Sequence, residues 1–164
     1  MAKIIEFRTV NIAVPDWEDA ARLFDRLGVP RADAHFFPQP PAQMVDVGYR
    51  LPHGGWSLVS PLGDDSPVAR FLGKRGPGIY SMTLRVDDLV GAMTEWGAAG
   101  IEWARPEPAM FPDAIVPPYR VERFLMNWIR PSSLSGILIE IVEFGGTVTL
   151  LDETHATHDA AQPI

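Results

Sequence analysis

The stretch RTVNIAVPDWEDAARLFDRLG (residues 8–28) returns in outline as YSMTLRVDDLVGAMTEWGAAG (residues 80–100). Each copy opens with alternating apolar and polar residues, which predicts a strand because successive strand residues face opposite sides. Apolar residues then recur at helical spacing after Asp16 in one copy and Asp88 in the other, and Asp can cap a helix N-terminus. A glycine ends each copy. Because pattern, cap and stop agree at one offset, the chain carries a duplicated strand–helix unit.

Further strand patterns follow each copy. The predicted strands are 44–51 and 55–62 after the first copy, 121–129 and 136–144 after the second, and shorter pieces at 32–37 and 101–103. Residues 64–76 predict a short capped helix between the copies. Two Pro-rich segments, 36–43 and 105–119, predict long loops, which in compact domains are often functional.

These elements predict one structural domain built from two modules. The predicted divisions are a first βαβββ module at 1–63, a helical connector at 64–77, a second βαβββ module at 78–146 and a flexible C-terminal tail at 147–164. The predicted fold class is α+β, with a curved mixed sheet or incomplete barrel, an internal cleft and outer helices. We expect polar residues to gather in that cleft, where ligand sites occur.

Composition excludes several classes of function. The net charge is −7, from 14 Lys and Arg against 21 Asp and Glu, so we expect no nucleic-acid partner. The absence of cysteine excludes disulfides, thiolate zinc sites and a cysteine nucleophile. No apolar run of membrane-spanning length and no signal-peptide pattern is visible, so we expect a cytoplasmic protein without a membrane partner.

Three stretches connect the chain to a known family. They are VNIAVPDWEDAARLF, SPLGDDSPVARFLGKRGPGIYSMTLRVDDL and RPSSLSGILIEIVE, and with the strands between them they cover residues 8–144. In these stretches the chain resembles the vicinal oxygen chelate superfamily of glyoxalases, bleomycin-resistance proteins and extradiol dioxygenases. Within it, the chain is most similar to methylmalonyl-CoA epimerases. The resemblance implies two βαβββ modules, a deep cleft and a homodimer.

The resemblance also implies where a metal would bind. Family members hold a divalent ion through two His residues, a Gln, Glu or His, and a Glu. These positions fall on Thr9, Ser81, Ser57 and Glu140 in this chain. Because neutral hydroxyls are weak ligands for a divalent ion, we expect no metal and no other cofactor, with a divalent metal as the alternative. His155 and His158 form a HATH pair that we expect to be solvated, the alternative again being a metal site.

Two carboxylates are the candidate catalytic groups. Glu140 lies between apolar strand residues, so burial without an opposite charge would raise its pKa toward that of a general base. Its alternative is a catalytically silent relic, hydrogen-bonded to nearby hydroxyls. Asp46 lies near an acid–base position of the epimerases, and its alternative is a solvent-facing strand residue. The candidate substrate-binding residues are Thr9, Asn11, Ser57, Ser81, Thr83, Tyr80, Asn127 and Arg130. The RPSSLSG loop (130–136) is a candidate anion contact.

The sequence leaves three hypotheses for function. The first is a metal-independent isomerase or lyase that performs acid–base chemistry beside the carbonyl of a small hydrophobic or acyl-CoA-like metabolite. The second is a non-catalytic small-molecule binder of the bleomycin-resistance type. The third is a metal-dependent enzyme of the epimerase or glyoxalase type. All three imply a small-molecule ligand.

Overall fold

Each copy of the repeated stretch folds as a strand followed by a helix in the computed structural model, which describes residues 1–39, 42–51 and 53–151. The strands are β1 (Ile4–Ala13), β2 (Arg31–Phe37), β3 (Met44–Leu51), β4 (Gly54–Pro61), β5 (Gly78–Val86), β6 (Ala109–Val116), β7 (Tyr119–Ile129) and β8 (Leu138–Leu150). The helices are α1 (Trp17–Phe24), α2 (Pro67–Arg75) and α3 (Leu89–Ala98). None of the helices in the described part of the chain has the length and apolar character needed to cross a membrane.

The predicted helix caps form in both copies. The Asp16 carboxylate accepts the backbone N–H groups of Glu18 and Asp19 at 2.8 and 3.0 Å, and Asp88 accepts that of Gly91 at 2.8 Å. These bonds satisfy donors that have no partner within the first turn. After α1, a 3₁₀ turn leads to Gly28, whose φ of 70° lies in the left-handed region that glycine tolerates best.

The chain forms two compact units, one of residues 8–82 and one of Met1–Phe7 with the chain from Thr83 onward. Within the first unit the strand order is β2-β3-β4-β1, followed by the start of β5. Within the second, the end of β5 is followed by β8, β7 and β6. Strands β1 and β4 are parallel, whereas β2–β3, β3–β4, β6–β7 and β7–β8 are antiparallel. The predicted α+β class with a mixed sheet and two βαβββ modules is confirmed.

In the unit of residues 8–82, α1 covers one face of the sheet. The buried cluster on that face contains Val14, Ala21, Val45, Val47, Tyr49 and Leu58, with Ile12, Trp17, Ala20, Phe24 and Trp56 packed against it. Because side chains alternate along a strand, the residues between these positions lie on the opposite face. That opposite face carries the polar candidates.

In the other unit, Glu143 of β8 holds the start of α3. Its Oε2 accepts the backbone N–H of Leu89 at 2.8 Å, and its Oε1 accepts from Arg123 at 3.2 Å. We expect Glu143→Ala to lower the free energy of unfolding by about 1–3 kcal/mol, because the buried Leu89 N–H loses its acceptor. Glu143→Gln keeps an acceptor oxygen and should cost less. Denaturant unfolding measures both variants, and equal losses would contradict this role.

Three segments differ from the sequence prediction. Strand β6 lies within the Pro-rich segment predicted as a loop, whereas residues 101–103 contribute only an isolated bridge from Trp103 to Ile129. Strand β6 is last in the strand order, and an edge strand tolerates proline because one side of its backbone needs no partner strand. Strand β8 continues to Leu150, four residues into the segment predicted as a tail.

Candidate functional site

A row of polar and small residues crosses the sheet face opposite α1 in the unit of residues 8–82. Asn11 of β1 is in register with Ser57 of β4, and Ser57 is in register with Gly48 of β3. On the other side of β1, the Asn11 Nδ2 donates to Ser81 Oγ of β5 at 2.8 Å. Asn11, Ser57 and Ser81 are all buried. The predicted site residues of β1, β4 and β5 are therefore brought together.

The hydrogen bonds in this row have a direction. Thr9 Oγ1 donates to Asn11 Oδ1 at 3.0 Å, and the Asn11 amide donates to Ser81 Oγ. Because the Ser81 oxygen accepts this bond, its own O–H is the donor at the end of the chain. The three side chains thus orient a hydroxyl donor on the sheet face.

Asp46 of β3 lies on the same face, two residues from Gly48. It is half-buried, hydrogen-bonds to Ser57, and is directly opposite His35 of β2. Burial raises the pKa of the Asp46 carboxyl above its ordinary value, and the Ser57 hydrogen bond and the nearby His35 oppose this in part. Burial disfavours the charged form of a carboxyl group. Asp46 is therefore not the solvent-facing strand residue of the alternative interpretation.

This raised pKa makes stability depend on pH. Between the unfolded and folded pKa values of Asp46, the folded protein retains a proton that the unfolded chain has lost. The stability contributed by this proton is complete below the unfolded pKa, about 4, and is lost as pH rises through the folded pKa. We expect the Tm of the wild type relative to Asp46→Asn to fall as pH rises from about 3.5 to 8. Parallel Tm profiles of the two proteins would contradict the burial of this carboxyl group.

The donor set at the family's metal positions does not fit a divalent ion. Thr9, Ser57 and Ser81 offer neutral hydroxyls, and the Ser81 oxygen already accepts from Asn11. Glu140 is the one position that keeps a ligand type used by the family. Within the residues that the structure describes, no group of three or more His, Asp or Glu is arranged to hold a metal. The absence of a metal stays a prediction, and the HATH pair lies outside the described residues.

Glu140 lies on β8, on the face opposite α3, and is in register with Trp128 of β7. It is half-buried and has an interaction partner in the chain. A general base would be favoured if Glu140 had no interaction partner. Glu140 has a partner, so the structure does not support that role.

Asn127 is not available to a ligand. It is fully buried on the α3 side of β7, where its amide donates to the Arg105 carbonyl at 3.0 Å and to Met93 Sδ at 3.3 Å. Its carbonyl oxygen accepts the backbone N–H groups of Arg105 and Trp128 at 3.3 and 2.8 Å. Both ends of the amide are occupied, so Asn127 fixes the segment that follows α3, contrary to its predicted binding role.

The remaining predicted binding residues of β5 lie in different surroundings. Tyr80 packs edge-to-face on Phe71 of α2, with 5.3 Å between ring centroids, and belongs to the cluster that contains Val68. Thr83 is buried and has an interaction partner. Tyr80 thus packs against α2, whereas Thr83, two residues after Ser81, lies on the same face of β5 as Ser81.

The side chains of the RPSSLSG loop form hydrogen bonds within the chain. Arg130 Nε donates to the Trp103 carbonyl at 3.1 Å, and Ser133 Oγ accepts the Glu102 backbone N–H at 2.9 Å. Ser132 Oγ donates to the Glu102 carboxylate at 3.4 Å. A carboxylate beside the loop opposes binding of an anion, so the predicted anion contact is not supported.

Two residues beside Asp46 were not among the candidates. His35 lies on β2 opposite Asp46. Gly48 lies inside the predicted strand 44–51, and a glycine inside a strand pattern often marks close approach of another group. That signal was present in the sequence.

Comparison with known proteins agrees with the fold. A family model described as Glyoxalase/Bleomycin resistance protein/Dioxygenase superfamily matches residues 9–113. The human mitochondrial methylmalonyl-CoA epimerase is 35% identical over 88 residues, which are 52% of this chain and 49% of that protein. The chain thus matches about half the length of this relative.

Solved structures extend the likeness. The methylmalonyl-CoA epimerase of Mycobacterium tuberculosis matches with a TM-score of 0.73 and 25% identity over 87% of this chain and 90% of that one. A variant of the Streptomyces coelicolor methylmalonyl-CoA epimerase, in complex with 2-nitronate-propionyl-CoA, matches with a TM-score of 0.74 and 14% identity over 88% of this chain and 100% of that one. At 14% identity, the second likeness concerns the fold alone. The chain belongs to the glyoxalase/bleomycin resistance protein/dioxygenase superfamily.

Proposed function

We propose that this protein is an isomerase-type enzyme that removes and returns a proton at the carbon beside the carbonyl of an acyl-CoA-like compound, with Asp46 as the base. The observation that carries the proposal is the position of Asp46, half-buried on the polar sheet face and hydrogen-bonded to Ser57. The substrate class comes from the relatives, which are named as methylmalonyl-CoA epimerases.

The proposed chemistry needs a base and a hydrogen-bond donor. The Asp46 carboxylate takes the proton, the electron pair of the C–H bond passes into the enolate, and return of the proton restores the carbonyl. A base is most effective when its pKa lies near the working pH, and burial moves the pKa of Asp46 in that direction. The oriented O–H of Ser81 is the candidate donor to the enolate oxygen, since positioned donors stabilise an oxyanion. No step is assigned to a metal ion or to Glu140.

Deuterium uptake tests this proposal. Propionyl-CoA, incubated with the protein in D₂O, should gain deuterium at the carbon beside the thioester carbonyl, as followed by mass spectrometry. Deuterium uptake reports removal of the proton even when the product has the same chemical structure as the substrate. Absence of uptake above the protein-free rate from acetyl-, propionyl- and methylmalonyl-CoA would exclude this activity for the acyl-CoA class.

A non-catalytic binder is the second candidate. The hydroxyls of Thr9 and Ser81 are joined through Asn11 in a partly buried chain of hydrogen bonds, which could recognise a ligand without requiring turnover. Binding of propionyl-CoA by calorimetry without deuterium uptake would favour this function over the first.

The remaining proposals follow from the composition of the chain and from the family resemblance. We propose a cytoplasmic homodimer that needs no metal and binds neither nucleic acid nor membrane. Exposed apolar residues along edge strand β6, Met110, Phe111 and Ile115, support an interface on the unit that contains them. Sedimentation gives the mass of the assembly.

A further inference from the structure

Gly48 is a strand glycine that its backbone does not require. It lies inside β3, and it is not among the residues with positive φ. Among the described atoms, a Cβ built at Gly48 would meet within 4 Å only Ala32 Cβ at 3.8 Å and Ser57 Oγ at 3.9 Å. Both are ordinary van der Waals distances, so an alanine fits here without strain.

Another glycine of the same hairpin differs. A Cβ on Gly55 would lie 2.2 Å from the Tyr49 carbonyl oxygen, so the pairing of β3 with β4 excludes a side chain there. Gly48 has no such steric reason. A glycine weakens a strand, because it loses more conformational freedom on folding and has no side chain to pack. Nothing in the structure shows that glycine at position 48 stabilises the fold.

The missing side chain leaves a gap beside the proposed base. Gly48 is opposite Ser57 and two residues from Asp46 on the same face. We call this gap, which is bordered by Ala32 and Ser57 and lies on the same strand face as Asp46, the Gly48 notch. Ala32, Asp46 and Gly48 are each only half-buried, so solvent reaches the notch. Its floor is glycine backbone and one wall is the Ala32 methyl, which favours a small apolar group.

We infer that the Gly48 notch is a subsite for a methyl-sized substituent on the carbon that faces Asp46, and that Gly48 determines which acyl groups fit there. Short-chain acyl thioesters that carry such a substituent are the ligand class. The inference rests on the proposed function for the reaction, but not for binding, since the notch would position the same group in a protein that only binds it.

The test substitutes Gly48→Ala and Gly48→Val and compares acetyl-CoA with propionyl-CoA. The Tm of Gly48→Ala should be no lower than that of the wild type and up to about 4 °C higher. Its kcat/KM for deuterium uptake into propionyl-CoA should fall by about tenfold or more, with a smaller effect on acetyl-CoA, since one methylene in a pocket changes discrimination by about that factor. Gly73→Ala is the matched control, because a Cβ at this exposed position of α2 meets nothing within 4 Å among the described residues.

Calorimetric binding separates this inference from the proposed function. If the wild type binds propionyl-CoA without exchange, the enzyme proposal fails, and the notch is judged by the ratio of Kd values for propionyl-CoA and acetyl-CoA. Loss of the propionyl preference in Gly48→Ala and Gly48→Val supports the notch. The inference is overturned if stably folded variants keep the wild-type preference for propionyl-CoA over acetyl-CoA. It is also overturned if the wild type shows no such preference or does not bind either compound.

Discussion

Asp46→Asn lowers the rate of deuterium uptake into propionyl-CoA by about 10²- to 10⁴-fold, the usual contribution of a positioned general base. Asparagine has nearly the same shape as aspartate and keeps an oxygen for Ser57, but its amide does not accept a proton at neutral pH. Because burial disfavours a charge at this position, the neutral replacement does not lower stability at neutral pH. The expected result is thus a folded protein that has lost the reaction.

The matched control is Asp33→Asn, which makes the same chemical change at an exposed residue of neighbouring strand β2. It should retain the wild-type rate. In the wild type, the rate should rise with pH through the pKa of Asp46, because the deprotonated carboxylate is the base. A rate in Asp46→Asn within a few-fold of that of the wild type would exclude Asp46 as the base, even if the protein catalyses the exchange.

Tyr49→Ala lowers the free energy of unfolding by about 3–5 kcal/mol, as expected when a large buried aromatic side chain is removed. The Tyr49 ring is 1% exposed and stacks on Trp56, with 5.8 Å between centroids, and also contacts Phe24 of α1. Its hydroxyl donates to Asp25 at 3.1 Å. Tyr49 therefore joins α1 to the two strands that carry Asp46 and Ser57.

Tyr49→Phe is the control for the hydroxyl. It keeps the ring and loses the hydrogen bonds of the hydroxyl to Asp25 and to the Ala21 carbonyl, so we expect a loss of about 1–2 kcal/mol. Guanidinium unfolding with matched m-values compares the variants. If Tyr49→Ala cost no more than Tyr49→Phe, the aromatic stack would contribute nothing to stability, contrary to the packing in the structure.

The fold was accessible to prediction because its signals are local. Helix caps at Asp16 and Asp88, and strands with a period of two, depend on residues a few positions apart. The prediction was wrong at β6, where prolines normally indicate a loop. Only the strand order shows that this segment lies at the edge of the sheet, where proline is tolerated.

The candidate site was predicted in part. The hydroxyl positions of β1, β4 and β5 were identified through the resemblance, and the structure joins Thr9, Asn11 and Ser81 by hydrogen bonds. The side-chain amide of Asn127, another candidate, is instead used within the chain. A polar residue type in a strand does not reveal which face it occupies or which partners it meets.

The sequence by itself determined the repeated strand–helix pattern and its helix caps, because these follow from residue type and spacing, whereas the hydroxyls at the family's two imidazole positions were implied by the resemblance. Only the tertiary structure decided that Asp46 is half-buried against Ser57 and His35, that Glu140 has a partner, and that Gly48 leaves a gap beside Asp46. The physical reason is that burial, pKa and free space depend on the strands that lie alongside a residue. Those neighbours come from distant parts of the chain.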